Sequence, residues 1–234
     1  MALPRLNESP QYELRIPSTG ETVRYRPYLV KEEKVLMIAF ESGDQKQALS
    51  AIVDTLEACI EGNLNCRSLT SFDIEYMFTQ VRTRSVGETS TVLLTCTHCE
   101  HKNEHSIDVS AIDIKMPEVS NVIELTPSIS VEMQYPTYNA IMQSDLGASE
   151  MEVGFEMAIN CITAIHTEEE RIEAKDATKM ELTEFVESMT ADQFKLVSDY
   201  LGSMPAMQQE VQFDCQGCGE HNTVTLKGMQ DFLS

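Results

Sequence analysis

The chain has 234 residues, 42% of them hydrophobic, enough to bury a core without covalent staples. Lys and Arg total 17 against 38 Asp and Glu, a formal charge of −21, and a surface this acidic excludes general binding to nucleic acid or to anionic membranes. No apolar run reaches about eighteen residues, and the opening MALPRLNESPQYELR lacks the basic-then-apolar order of a secretory signal, so the expected compartment is the cytosol.

YELRIPSTGETVRYRPYLV, from Tyr12 to Val30, alternates apolar and polar residues on both sides of Ser18-Thr19-Gly20, which predicts an antiparallel hairpin. After Pro27 the period changes. KEEKVLMIAFES reads as a helix, and DQKQALSAIVDTLEACI as a second with Ala48, Ile52, Leu56, Cys59 and Ile60 on one face, ended by Gly62. A third helix is expected from Thr70 or Ser71, where a side-chain oxygen can cap it; FDIEYMFTQVRTRS is apolar on several sides and hence buried, with a stop near Gly87.

From Glu88 to Ile114 the signal is β, with TSTVLLTC before a cysteine pair and HSIDVSAIDI after it, so the cysteines are expected at a hairpin tip. Between Met116 and Pro136, three prolines punctuate the extended runs NVIEL and SISVEMQY, a connector and the expected internal boundary. Tyr138 to Gly202 reads as helical: SEMEVGFEMAINCITAIH carries one long apolar stripe, while TKMELTEFVESM and TADQFKLVSDYLG both open with capping-box spacing. QQEVQFDCQGCGEHNTVTLKG then returns to strand, knuckle and strand, and MQDFL has the length of one helical turn. The expected class is α+β, in four segments: an N-terminal hairpin with helices (1–87), a first knuckle hairpin with connecting strands (88–135), an acidic helical region (136–207), and a second knuckle hairpin with a tail (208–234).

Seven cysteines, an odd number without an export signal, favour free thiols or metal ligands over disulfides. Cys59 and Cys161 fall on apolar helical faces and read as buried hydrophobes, whereas Cys66, beside polar residues, is undecided. The other four form a repeat. Aligning Cys96 with Cys215 superposes Cys99 on Cys218, Asn103 on Asn222 and Ile107 on Leu226. Two C-x-x-C turns at hairpin tips are the signature of a zinc ribbon, because both thiolates of one turn converge on one ion and two turns complete a tetrahedron. Four thiolates leave no open position, so the expected cofactor is one structural Zn²⁺ joining distant parts of the chain. Gly217 and Gly219 suit a knuckle needing positive φ; the first copy has His98 and Glu100 there, which predicts a less regular turn.

His98, His101, His105 and His221 lie within six residues of these cysteines, so a histidine ligand or a second metal is an alternative. A redox dithiol is another, although strands, not a helix start, flank both pairs. There is no phosphate-cradling glycine loop, nucleophile elbow or His-Glu-x-x-His pattern, and no enzyme is expected. HTEEERIEAKD reads as an exposed charged loop. Thirteen acids between Asp145 and Asp192, against Arg171, Lys175 and Lys179, form a solvated face or a docking face for a basic partner. The thirteen methionines read as gap-filling core residues.

YELRIPSTGETVRYRPYLVKEEKVLMIAFESGD (Tyr12 to Asp44) and FDIEYMFTQVRTRSVGE (Phe72 to Glu88) resemble the baseplate hub subunit family of T-even-like contractile-tailed bacteriophages, through the Pro-Ser-Thr-Gly turn, the Arg-Pro-x-Leu-Val-Lys-Glu-Glu-Lys helix start and the Phe-Asp-Ile-Glu-Tyr helix. The resemblance implies a structural or assembly protein contacting other hub or tail proteins, made in the host cytoplasm and either retained in the virion tail or released. The zinc ligands rest on this sequence, not on the resemblance. The matching strings suggest an exposed contact surface at Ser18 to Gly20 and Lys31 to Lys34, with Phe72, Ile74 and Tyr76 to Phe78 in the core. The alternatives are a nucleic-acid-associated zinc-ribbon regulator, which the charge opposes, and a thiol oxidoreductase.

Overall fold

The computed structural model describes residues 10–110, 112, 114, 116–144 and 149–233. In chain order its elements are β1 (Tyr12–Arg15), β2 (Thr22–Tyr25), α1 (Val30–Glu41), α2 (Gln45–Cys59), α3 (Ser71–Val86), β3 (Thr89–Thr95), β4 (Lys102–Asp108), β5 (Val122–Thr126), β6 (Ile129–Met133) and α4 (Tyr138–Gln143). They continue with α5 (Glu150–Cys161), β7 (Ile162–His166), β8 (Arg171–Glu173), α6 (Lys179–Glu187), α7 (Ala191–Gly202), β9 (Gln208–Asp214), β10 (His221–Lys227) and α8 (Met229–Leu233). The chain divides into two compact units. The first gathers the stretch up to Cys66, Phe72–Lys115 and Ala206 onward; the second is Arg67–Ser71 with Met116–Pro205. The fold is thus mixed, with helices and several small antiparallel sheets.

In the first unit, β1 and β2 pair from Tyr12↔Tyr25 to Arg15↔Thr22. Gly20, at φ 71°, closes the turn between them, a conformation that costs glycine little. Asp73 of α3 has no exposed surface, and its carboxylate accepts the Ser18 N–H at 2.9 Å and the Ser18 hydroxyl at 2.6 Å. The PSTG turn and the FDIEY helix are therefore two halves of one contact. Asp73→Ala leaves the Ser18 donors short of a charged acceptor and is expected to cost about 2–3 kcal/mol, and Asp73→Asn less, because an amide oxygen still accepts. Thermal unfolding should show midpoints lowered by about 5–10 °C for the alanine variant; equal effects of the two variants would contradict this account.

Phe72, Ile74, Met77, Phe78 and Val81 of α3 are buried as expected, while Tyr76 is only half-buried. α1 turns Glu32, Leu36 and Ala39 inward and packs beside α2, whose first turn is capped by the Asp44 carboxylate on the Lys46 and Gln47 N–H groups. Lys31, Glu33 and Lys34 are exposed, but Glu32 between them is not. It accepts Arg26 Nη2 at 2.8 Å and the Leu29 N–H at 2.9 Å. Burial by itself would raise the Glu32 carboxyl, and these donors outweigh it, holding the group below the ordinary carboxylate range. The tail helix α8 buries Phe232 completely, and Gly228 N–H donates to the Met207 carbonyl at 2.9 Å.

The second unit is built on an antiparallel sheet in the order β5-β6-β7-β8. Here the sequence expectation of a wholly helical stretch is corrected. α5 ends at Cys161, and Ile162-Thr163-Ala164-Ile165-His166 continues as β7, pairing Val131↔Ile165 and Ser130↔His166 with β6. Its burial alternates, with Ile162 and Ala164 inward. A short β-branched run fits either period, and pairing with a strand about thirty residues earlier decided for β. Part of the expected charged loop is edge strand β8, which pairs Ile165↔Ile172. Across this sheet Glu132 accepts Arg171 Nη2 at 2.9 Å and lies 3.2 Å from His166 Nε2; the Arg171 hydrogen bond, then His166, hold its carboxyl below the usual range. The two predicted capping boxes, Thr178 with Glu181 and Thr190 with Gln193, are formed at α6 and α7.

Candidate metal centre

The two cysteine pairs lie at the tips of two hairpins of identical register. β3 and β4 pair from Thr89↔Asp108 to Thr95↔Lys102, and β9 and β10 from Gln208↔Lys227 to Asp214↔His221. In both, a six-residue turn is closed by the first cysteine: Cys96 N–H donates to the His101 carbonyl at 2.9 Å, and Cys215 N–H to the Glu220 carbonyl at 2.9 Å. The return bonds, Glu100 N–H to Cys96 and Gly219 N–H to Cys215, are 3.0 and 2.8 Å. The first knuckle is thus as regular as the second, contrary to the sequence expectation. Glu100 adopts φ 58°, the left-handed geometry that Gly219 adopts at φ 77°. Gly217 has a different role from the one its sequence suggested: it has no positive φ, but a Cβ there would lie 3.0 Å from Cγ of His101, so the absence of a side chain lets the knuckles approach.

All four Sγ atoms of Cys96, Cys99, Cys215 and Cys218 lie within 4.8 Å of one another. Between the knuckles, Cys96 lies 3.7 Å from Cys218 and Cys99 3.6 Å from Cys215, sulfur to sulfur. A tetrahedron of thiolates about 2.3 Å from a zinc ion has edges of about 3.8 Å, close to these two separations, so the cluster is compatible with a metal site. Cys96 and Cys215 are buried, Cys99 and Cys218 open to solvent, and all four are free thiols.

Burial opposes ionisation of Cys96 and Cys215, yet backbone N–H groups aimed at their sulfurs prevail and lower both; Cys215 falls to about 6. For Cys96 the N–H groups are those of His98, 3.4 Å from its Sγ, and Cys99; for Cys215 they are those of Cys218 and of Gly217, the latter 3.3 Å from its Sγ. Cys99 and Cys218 also receive an N–H, from His101 and Glu220, but both are raised: Cys99 to about 12, chiefly by Cys218 and then burial, and Cys218 by burial together with Cys96 and Cys215. Four sulfurs this close cannot all ionise on their own, and a divalent cation would supply the missing positive charge.

The trailing asparagines join the knuckles reciprocally. Asn222 Nδ2 lies 3.5 Å from Cys96 Sγ, and its Oδ1 accepts the Thr97 N–H at 2.9 Å. Asn103 Nδ2 lies 3.7 Å from Cys215 Sγ, and its Oδ1 accepts the Gln216 N–H at 2.8 Å. Each amide also donates to a carbonyl of its own turn, Glu220 at 2.8 Å and His101 at 3.0 Å. Both residues are buried although polar, which their full set of partners explains. The repeat in sequence signalled these asparagines; their crossing to the opposite knuckle has no sequence signal.

Among the described residues no histidine nitrogen joins the sulfur cluster. His221 Nδ1 lies 2.9 Å from Asp214, and the His105 ring sits 6.4 Å from that of Phe213. Cys59 and Cys161 are buried, as expected, and burial pushes their thiols to about 11 and about 12; Cys66 is also buried. Both knuckles belong to the first unit, so the distant parts of the chain that the site brings together lie within that one unit. It joins the two segments of the first unit that flank the second in the chain.

Comparison with curated proteins returns no match. Comparison with solved structures returns none either. A family model described as T4 bacteriophage base plate protein matches residues 9–234, nearly the whole chain and both knuckles. The chain belongs to the T4 bacteriophage base plate protein family.

Proposed function

We propose that the protein is a non-enzymatic structural or assembly component of the baseplate hub, acting through contacts with other hub or tail proteins and stabilised by one structural Zn²⁺ on Cys96, Cys99, Cys215 and Cys218. The family match over residues 9–234 carries the baseplate part of this reading. The hub part draws on the PSTG and FDIEY strings, which meet at Ser18 and Asp73. Zinc is supported by the four-sulfur cluster, whose edges suit that ion. The place of action is the virion tail, after synthesis in the host cytoplasm. Exposed acids Glu168, Glu169, Glu170, Glu184, Glu187 and Asp192 fit a basic partner.

Co-expression with the other baseplate proteins, followed by affinity capture and size analysis, tests this. A stoichiometric complex with a hub protein is expected; association with none of them would overturn the reading. The net charge of −21 disfavours the nucleic-acid alternative, and tight, salt-sensitive duplex binding in a mobility-shift assay would reverse that judgement.

A further inference from the structure

The side of α1 turned away from its buried residues presents apolar side chains to water. Val30 is 80% exposed, Ile38 60% and Met37 56%. With Lys34 and Glu41 they follow the i, i+4, i+7, i+8, i+11 spacing of a single helical stripe, and Leu29, Val35 and Phe40 add exposed apolar surface on its flanks. Contiguous apolar surface of this kind marks an interaction site more often than a free face. Lys34 and Glu41 are exposed, and no ion pair among the described residues engages either of them.

We propose that a second copy of this chain covers the stripe from Lys34 to Glu41, α1 against α1 in antiparallel order. The charge pattern selects this occupant. A twofold axis between Met37 and Ile38 packs Met37 of each copy against Ile38 of the other and sets Lys34 of each copy against Glu41 of the other, so one isologous contact completes two ion pairs. Parallel pairing would set lysine against lysine and glutamate against glutamate, which is unfavourable. The charge of −21 on each copy repels at long range, but at physiological salt that repulsion is screened beyond about 8 Å, whereas apolar contact and the local pairs act at closest approach. A single helix per copy makes a small interface, so the dimer is weak and concentration-dependent.

Sedimentation equilibrium of the full chain in 0.15 M salt tests this directly. The apparent mass should rise from 26.3 kDa toward twice that value with concentration. Ile38→Glu should remain at the lower mass, with its thermal midpoint unchanged in dilute solution because the side chain it replaces is exposed. Lys34→Glu and Glu41→Lys should each weaken the dimer about tenfold, and the double variant should recover most of the loss. A wild-type monomer at every concentration overturns the proposal and leaves the stripe to a different protein. A dimer indifferent to Ile38→Glu places the interface elsewhere, and a double variant without recovery rejects the antiparallel order.

Discussion

Cys215→Ser is expected to abolish metal binding and to lower the unfolding midpoint of the protein by about 10–20 °C, the largest effect of any single substitution considered. Serine is not ionised at neutral pH and cannot replace a thiolate, so the ion would keep three ligands and a gap in its tetrahedron. The architecture makes that loss severe. β3 with β4 and β9 with β10 are separate two-stranded sheets, with no backbone ladder between them. An isolated two-stranded hairpin is marginal in water, so each tip depends on the other. The reciprocal asparagines and side-chain packing hold them together, and an ion bound by the four cysteines would add a further link. Elemental analysis should give one zinc per wild-type chain and close to none in the variant, with a chelator reproducing the lower midpoint in the wild type. Because bound thiols must lose their protons, zinc affinity should also fall as pH is lowered. Metal-free wild-type protein whose stability is untouched by Cys215→Ser would refute the zinc assignment.

Asn222→Ala and Asn103→Ala should each weaken zinc binding by about 10- to 100-fold while leaving the four sulfurs in place. Each amide donates toward the opposite knuckle's first sulfur and accepts the N–H that follows it, from Thr97 or Gln216. Removing it strips a donor from a thiolate and orphans a backbone N–H, which tilts the opposite turn away from its ligand geometry. The aspartate variants separate these roles. Asn222→Asp keeps an acceptor for Thr97 but loses the donor to Cys96 and adds a negative charge beside the sulfurs, so it should bind zinc more weakly than Asn222→Ala. Competition with a chromophoric chelator measures the affinities, and alkylation of the loaded protein should find Cys96 the more reactive in Asn222 variants and Cys215 in Asn103 variants. Variants that lose thermal stability with unchanged zinc affinity would reduce the asparagines to ordinary packing residues.

The first unit was largely legible from the chain because its signals are local. The Ser18-Thr19-Gly20 turn, the helical face of Ile52, Leu56 and Cys59, the stop at Gly87 and the matching cysteine spacings all depend on residues within a few positions of one another. The capping boxes at Thr178 and Thr190 were readable for the same reason. At Cys161 local reading failed. The apolar period runs on past the helix end, and only β6, distant in sequence, decides that Ile162 onward is a strand. Glu32 misled in a similar way: a charged residue in a Lys-Glu-Glu-Lys run reads as solvated, and its burial depends on Arg26 being brought beside it.

The sequence by itself determined that two like knuckles exist and that each carries its own pair of cysteines. Composition and short-range spacing are sufficient for that, since a C-x-x-C turn positions its own thiolates. Only the tertiary structure decided that the cysteines of one turn meet those of the other at 3.6 and 3.7 Å, and that each asparagine serves the knuckle it does not belong to. It also decided that Gly217 is there for space, not for its φ. These are relations between segments 119 positions apart, from 96 to 215, and no local preference encodes the distance between two turns until the chain between them has folded.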